Sequence, residues 1–251
     1  MNIDLHTHMK LSKKTYFDEK YFNTMVTEAL ANDLNAIALT EHFNTLRFSD
    51  IYDSLDKHFP YESDHYNANG LKIFPGLEVD IAETGHILLI GARESVRAMR
   101  HHLEPFTEPD HFVPFKQLLD WADELNMIKI GAHPYRDSTP LHHLDRDLLS
   151  RLDAFDLNGK DLYVQGQDQL VQNVSRLADE LSLPVVGGSD THHFLQYGSV
   201  YSTFPEPIAT MTDLKNAIKA TNQQVHISPC LKTKVKSAIL MKKMLKSSVR
   251  V

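Results

Sequence analysis

Cysteine is nearly absent from this chain: Cys230 is the single thiol in 251 residues. That excludes an internal disulfide framework and any Cys-rich zinc site. It fits a reducing compartment, so a cytoplasmic location is the expectation. No apolar run approaches the ~20 residues that a membrane-spanning helix needs, and no membrane partner is expected. The glycine-rich fingerprint that cradles a pyrophosphate in dinucleotide folds is missing. Positive charge is in deficit, with 26 Lys and Arg against 33 Asp and Glu and a net charge of −7. That balance, with no basic groove interleaved with aromatics, argues against a nucleic-acid partner. Internal repeats, low-complexity tracts and long linkers are lacking as well.

What the chain does have is histidine, fifteen in all, set into an alternation of strands and helices. Residues 3–6 read as a short strand. Residues 19–32 carry helical apolar spacing through Phe22, Met25, Val26, Ala29 and Leu30. Residues 36–40 read as a strand, and 50–69 as partly helical. Strands follow at 71–79 and 86–90, then a helix at 115–126 and a strand at 127–131. A helix is expected over 141–152, a strand over 154–157, a helix over 169–181, a strand over 185–188 and a helix over 212–220. This rhythm predicts an α/β fold with a parallel sheet covered by helices, in one domain over residues 1–230. Residues 231–251 hold seven Lys or Arg and no acid. They read as a basic C-terminal helix or tail, with Val235, Ala238, Ile239 and Leu245 on its docked face.

The chemistry-bearing residues sit at strand ends. His6 and His8 follow the first strand, and residues i and i+2 of an extended segment point the same way. His42 follows the second strand. Glu78 lies near the end of the third, and His86 opens the next. His133 follows the strand over 127–131, and Asp190 and His192 follow the strand over 185–188. Such groups are costly to bury unless paired or metal-bound, and one ring of ligands accounts for all of them. Six imidazoles and two carboxylates suit zinc, manganese or iron better than calcium or magnesium. Eight ligands exceed one tetrahedral ion, so two or three divalent ions are expected, with Glu78 or Asp190 bridging. A signal peptide is not expected, because its removal would take the first His pair with it. Glu41 reads as a partner behind the ligands. Asp80 is a rival for Glu78 with less fitting flanks. The remaining histidines read as surface residues.

The stretches Asp4-Leu5-His6-Thr7-His8, Ala38-Leu39-Thr40-Glu41-His42 and Gly76-Leu77-Glu78 appear in that order. Gly85-His86-Ile87-Leu88, Gly131-Ala132-His133-Pro134 and Gly188-Ser189-Asp190-Thr191-His192 follow. This set resembles the PHP (polymerase and histidinol phosphatase) family of metal-dependent phosphoesterases. The resemblance implies a distorted TIM-like barrel of about seven β/α units with metals at its C-terminal rim. It implies metal ligation by His6, His8, His42, Glu78, His86, His133, Asp190 and His192. It also implies hydrolysis of a phosphate ester, here expected to be a small one, by metal-activated hydroxide. Asp190, His192 and Arg136 are the expected catalytic residues, with His192 or a water protonating the leaving oxygen. Arg136 has the planar fork that suits phosphate oxygens; its alternative is a surface pairing with Asp137 or Asp145. Lys160 and His193 are weaker candidates for substrate contact. A metal-dependent C–N hydrolase and a non-catalytic metal-binding or regulatory domain are the alternatives.

One position departs from the family pattern. Lys13 stands about where a further ligand belongs, and protonated lysine has no acceptor. Asp18 or Glu19 folding back, a site with fewer metals, or Lys13 binding substrate phosphate would each account for it. The last two together are the reading adopted. Fewer than three tightly held ions per chain are therefore expected from elemental analysis of the purified protein; three would overturn it.

Overall fold

A computed structural model describes residues 1–248. The chain opens with β1 (Asn2–Thr7), α1 (Glu19–Ala31), β2 (Ala36–Leu39) and α2 (Ser49–His58). It continues with β3 (Tyr61–Glu62), β4 (His65–Ala68), β5 (Leu71–Asp80), β6 (His86–Ile90), α3 (Arg93–His102), α4 (Phe115–Glu124) and β7 (Ile128–Gly131). Then come α5 (Arg146–Leu149), β8 (Ala154–Asn158), α6 (Gly159–Gln165), α7 (Gln167–Leu181) and β9 (Val185–Gly188). β10 (Val200–Thr203), α8 (Met211–Lys219), β11 (Gln224–Ile227) and α9 (Leu231–Ser248) complete it. No helix among the described residues is long and apolar enough to cross a membrane.

The strands run in the order β11-β10-β1-β2-β5-β6-β7-β8-β9. The sheet curls until its far strand meets β1: Thr7 pairs with Thr191, Asp190 N donates to His6 O (2.8 Å) and His8 N donates to Thr191 O (2.9 Å). The wall of this distorted barrel is thus β1, β2, β5, β6, β7, β8 and β9, with β10 and β11 as a flap beside β1. The expected all-parallel sheet is corrected, because β6 runs antiparallel to both β5 and β7.

Side-chain alternation divides the core in two. Ile3, Leu5, Ala36, Ala38, Phe74, Leu88, Ile90, Ile128, Ile130, Ala154 and Val186 fill the barrel interior, floored by Phe204, Ile208, Leu214 and Ile218. Ile37, Leu39, Ile73, Leu77, Ile87 and Leu89 point outward, in the core that the surrounding helices share. α1 begins at Asp18, whose side chain accepts from Tyr21 N (2.6 Å), and buries Phe22, Met25, Val26 and Ala29. This is the amphipathic stripe expected of a surface helix.

The stretch over 50–69 is partly helical, as expected: α2 stops at His58, just before Pro60, which disfavours helix in the residue preceding it. The chain then turns into the β3–β4 hairpin. The helix expected over 141–152 is one turn long, capped by Asp145, which accepts from Leu148 N (3.1 Å).

Barrel closure depends on a close approach at Gly188. A Cβ there would stand 2.4 Å from His6 Cβ and 2.8 Å from Asp156 Oδ1. Gly188→Ala should therefore destabilise the fold by about 1–3 kcal/mol, the usual cost of overpacking. Chemical denaturation checks this, and an unchanged midpoint would show that the seam is looser than described.

Candidate metal centre

The alternation that fills the barrel continues past the apolar layers and changes chemistry at the rim. Phe74 is followed on its face by Gly76 and Glu78, Ala154 by Asp156, and Val186 by Gly188. In β6 the order is reversed: His86 comes first, then Leu88 and Ile90. Because β6 is antiparallel, its first residue faces Asp80 at the end of β5, so His86 reaches the same rim as the ends of the other strands. The pairing of β1 with β2 slips between Asp4 and Thr7, an irregularity that re-aims the strand end. His133 and Asp190 each lie two residues beyond a strand and adopt left-handed backbone, with φ of 33° and 56°. That conformation is uncommon for residues other than glycine and tends to gather at functional sites.

All eight expected ligands converge. Glu78, 1% exposed, is their hub. Its Oε1 lies 2.7 Å from His86 Nδ1, 3.2 Å from His133 Nε2 and 3.5 Å from His6 Nε2. Its Oε2 lies 2.7 Å from His42 Nδ1 and 3.5 Å from His8 Nε2. Asp190 Oδ1 stands 3.3 Å from His8 Nε2 and 3.6 Å from His6 Nε2. Three groups emerge, the first two sharing His8: His8, His42 and His192; His6, His8 and Asp190; Glu78, His86 and His133. Within each, the ligand atoms lie within 4.8 Å of one another.

The donor set fits divalent ions. His6 Nε2, both nitrogens of His8, His42 Nδ1 and Glu78 Oε2 are buried without a hydrogen-bond partner. The close His42–Glu78 approach is thus a contact without hydrogen-bond alignment. Buried polar atoms left unpaired cost ~1–3 kcal/mol each, so several sharing one cavity call for something to bind. Burial opposes charge on Glu78, yet His86 and His42 hold its carboxyl well below the usual range. Asp190 is likewise held low against its burial, chiefly by Arg136 and His6. Burial, aided by His8, pushes the His192 imidazole well below its ordinary value; burial and Arg136 do the same to His133. Burial also opposes charge on His6, His8 and His86, but neighbouring carboxylates, chiefly Asp190 for the first two and Glu78 for His86, raise these imidazoles. Anionic carboxylates and neutral imidazoles are the states that ligate metal, so ion binding at this ring would displace protons.

Behind the ring lies a layer of orienting contacts. Asp156 Oδ2 is 2.8 Å from His6 Nδ1. Asp4 Oδ1 accepts from His6 N (3.2 Å) and Ser189 N (2.9 Å), tying the two ends of the seam together. Glu41 accepts from Met9 N (3.2 Å), Lys10 N (3.1 Å) and His42 N (3.1 Å), and its Oε1 stands 3.5 Å from His8 Nδ1. Tyr21 OH donates to His192 O (2.6 Å). Asp4 and Asp156 were missed in the sequence, although each carries a signal: a lone carboxylate between apolar neighbours inside a strand.

Arg136 pairs with neither Asp137 nor Asp145. Its Nη2 lies 2.7 Å from Asp190 Oδ2 and 2.8 Å from Asp161 Oδ2, and its Nε reaches both Asp161 oxygens (3.1 Å each). Lys13 Nζ pairs with Asp80 Oδ2 (2.9 Å), whose other oxygen is 2.9 Å from His86 Nε2. Burial opposes that carboxylate's charge, but His86 and Lys13 bring it down to about 2. A cavity of about 440 Å³ opens above the ring, lined by His42, Asp190, His192, Arg136, Lys160 and Lys242 among others.

A family model described as PHP-associated matches residues 172–222, about a fifth of the chain, which includes Asp190 and His192. No curated protein matches it in sequence. Among solved structures, PsfC from Pseudomonas syringae PB-5123 superposes with a TM-score of 0.82 at 21% identity, covering 97% of this chain and 98% of that one. The lesion-specific endonuclease Q from Pyrococcus furiosus gives 0.65 at 20% identity over 89% of this chain, which spans only 57% of that enzyme. A two-domain protein from Bacteroides vulgatus containing a PHP-like metal-dependent phosphoesterase gives 0.61 at 15%, covering 94% of this chain and 69% of that one. The chain has the PHP-type distorted barrel fold.

The partner expectation is corrected by these likenesses. Endonuclease Q has also been solved with a 27-mer duplex substrate whose abasic lesion lies at the active site, and that structure superposes with a TM-score of 0.67. The same fold thus takes a nucleic-acid duplex in that enzyme, and the restriction of partners to small phosphorylated molecules does not stand. Net charge describes the whole surface, whereas the cavity at the rim is lined by Arg136, Lys160 and Lys242.

Asp156→Asn should keep the side chain's volume while removing the anion that orients His6. A loss of about 10–100-fold in metal affinity is expected, as for other partners of metal-bound histidines. Titration of the metal-free protein against a competing chelator measures this; unchanged affinity would remove Asp156 from the site.

Proposed function

We propose that this barrel is a metal-dependent phosphoesterase of the PHP family. The observation that carries the reading is the convergence of six histidines with Glu78 and Asp190 into three neighbouring ligand groups at one rim. Divalent ions held by these residues, of a kind that nitrogen and oxygen donors accept such as zinc, manganese or iron, would activate a water and neutralise phosphoryl charge.

The chain's own groups prepare this chemistry. Glu78 reaches ligand atoms on both sides of the ring and would help hold the ions. Arg136 fixes Asp190 by its 2.7 Å ion pair, so its role is to position a ligand rather than to meet the substrate. His192 lines the cavity, and its imidazole is held neutral by burial and by His8. That supports ligation more than delivery of a proton, which falls to water. The closed ring below the cavity leaves the rim as the side from which a phosphate ester enters.

With manganese or zinc added, the protein should hydrolyse an aryl phosphate. The substrate panel includes a phosphate monoester, a phosphodiester, an abasic duplex and an amide. His8→Ala and Asp190→Ala should each lower the rate by about 100-fold or more. Full activity in both variants would overturn the reading, and turnover confined to the amide would assign the site to C–N hydrolysis.

A further inference from the structure

A phosphate ester brings negative charge into the cavity, and the two cations that the sequence offers for it, Arg136 and Lys13, are already engaged. The Arg136 fork is spent on Asp161 and Asp190. Lys13 is paired with Asp80 and does not line the cavity. Two other cations do line it: Lys160, exposed at the start of α6, and Lys242, half-buried on α9.

α9 holds Lys242 there by its own packing. Leu231, Val235 and Ala238 are buried on the barrel side of the helix. Lys234 Nζ adds bonds to Asn32 Oδ1 (2.7 Å) and Tyr197 O (2.9 Å). Residues 231, 235, 238 and 242 follow the three- and four-residue spacing of one helical face, so the stripe that docks the helix ends in an ammonium. Ala238 and Ile239 line the cavity beside it and keep that edge apolar. Among the described residues no ion pair neutralises Lys242. Burial lowers its ammonium to about 8 while the Asp190 charge draws it upward, which leaves it mostly charged at neutral pH.

We infer that Lys242 is a substrate-binding residue that contacts the phosphate group of the ester from the α9 side of the cavity, facing the ligand ring. The inference rests on the phosphoesterase reading for its substrate class, and on cavity geometry for its place. It gives the basic C-terminal helix a function at the site. An ammonium that is incompletely solvated gains more from a phosphate oxygen than one in open water.

Titration calorimetry of the metal-loaded protein with inorganic phosphate tests this. Lys242→Met should weaken binding about tenfold or more, the worth of one charge-assisted hydrogen bond. Lys242→Arg, which keeps the charge and helix packing, should recover most of the affinity. Lys246→Ala, an equal loss of charge at an exposed site on the same helix, should leave it unchanged. Equal affinity in Lys242→Met and the unaltered protein, an equal loss in Lys246→Ala, or no phosphate binding at all would overturn the assignment. Phosphate binding that needs Lys242 in a protein that cleaves no ester would sink the phosphoesterase reading and keep the site. Ester cleavage by Lys242→Met with an unaltered KM would do the reverse.

Discussion

Glu78 imposes the constraint on which the rest of the site depends. Its carboxylate is almost wholly buried, and five imidazoles, those of His6, His8, His42, His86 and His133, approach it within 3.5 Å. A buried anion of this kind is tolerable only with compensating charge. Divalent ions would meet that need and satisfy the orphaned imidazole nitrogens in the same act. The surrounding structure holds the geometry still: Asp156 sets His6, Arg136 sets Asp190, Glu41 gathers the backbone after His8, and Gly188 lets the seam close beside His6. An apolar barrel interior below the ring fixes its depth. Alternation alone carries each strand from core-filling residues to polar ones as it reaches the rim.

Much of this was legible because ligand-type residues at strand ends stand out against apolar neighbours. His6, His8, His42, Glu78, His133, Asp190 and His192 could be picked out by that contrast, and barrel connectivity then brings them together. His86 was harder, because it precedes its strand instead of following it. It joins the ring through the reversal of β6, and strand direction is written in pairing partners, not in local sequence. The same limit hid β10 and β11, whose edge pairing beside β1 is a tertiary choice. Arg136 illustrates a third kind of opacity. A local reading offered Asp137 and Asp145, while its actual partners are Asp161 and Asp190, 25 and 54 residues away. Lys13 sits against Asp80 for the same reason: β5 delivers that carboxylate from far along the chain.

Fold likeness and substrate choice separate cleanly in this protein. The barrel fold is common ground with proteins as different as PsfC and endonuclease Q, at identities near 20%. What overhangs the rim borders the cavity. Here that is α9, a basic helix whose apolar stripe binds it to the barrel and whose Lys242 borders the cavity. An acidic protein can therefore present a locally cationic mouth, and overall charge says little about it.

The seam between β1 and β9 has a structural consequence of its own. Few hydrogen bonds cross it, and those that do, from Asp190 to His6, from His8 to Thr191 and from Ser189 to Asp4, join residues some 185 positions apart in sequence. Closing so long a loop is entropically costly, and the ligands His6, His8, Asp190 and His192 stand on both lips of the join. Ions held by ligands from both lips would act as a clasp. The barrel would then be a ring that its own cofactor fastens, and metal loss would be felt first as a loosened hoop and only second as a missing reagent.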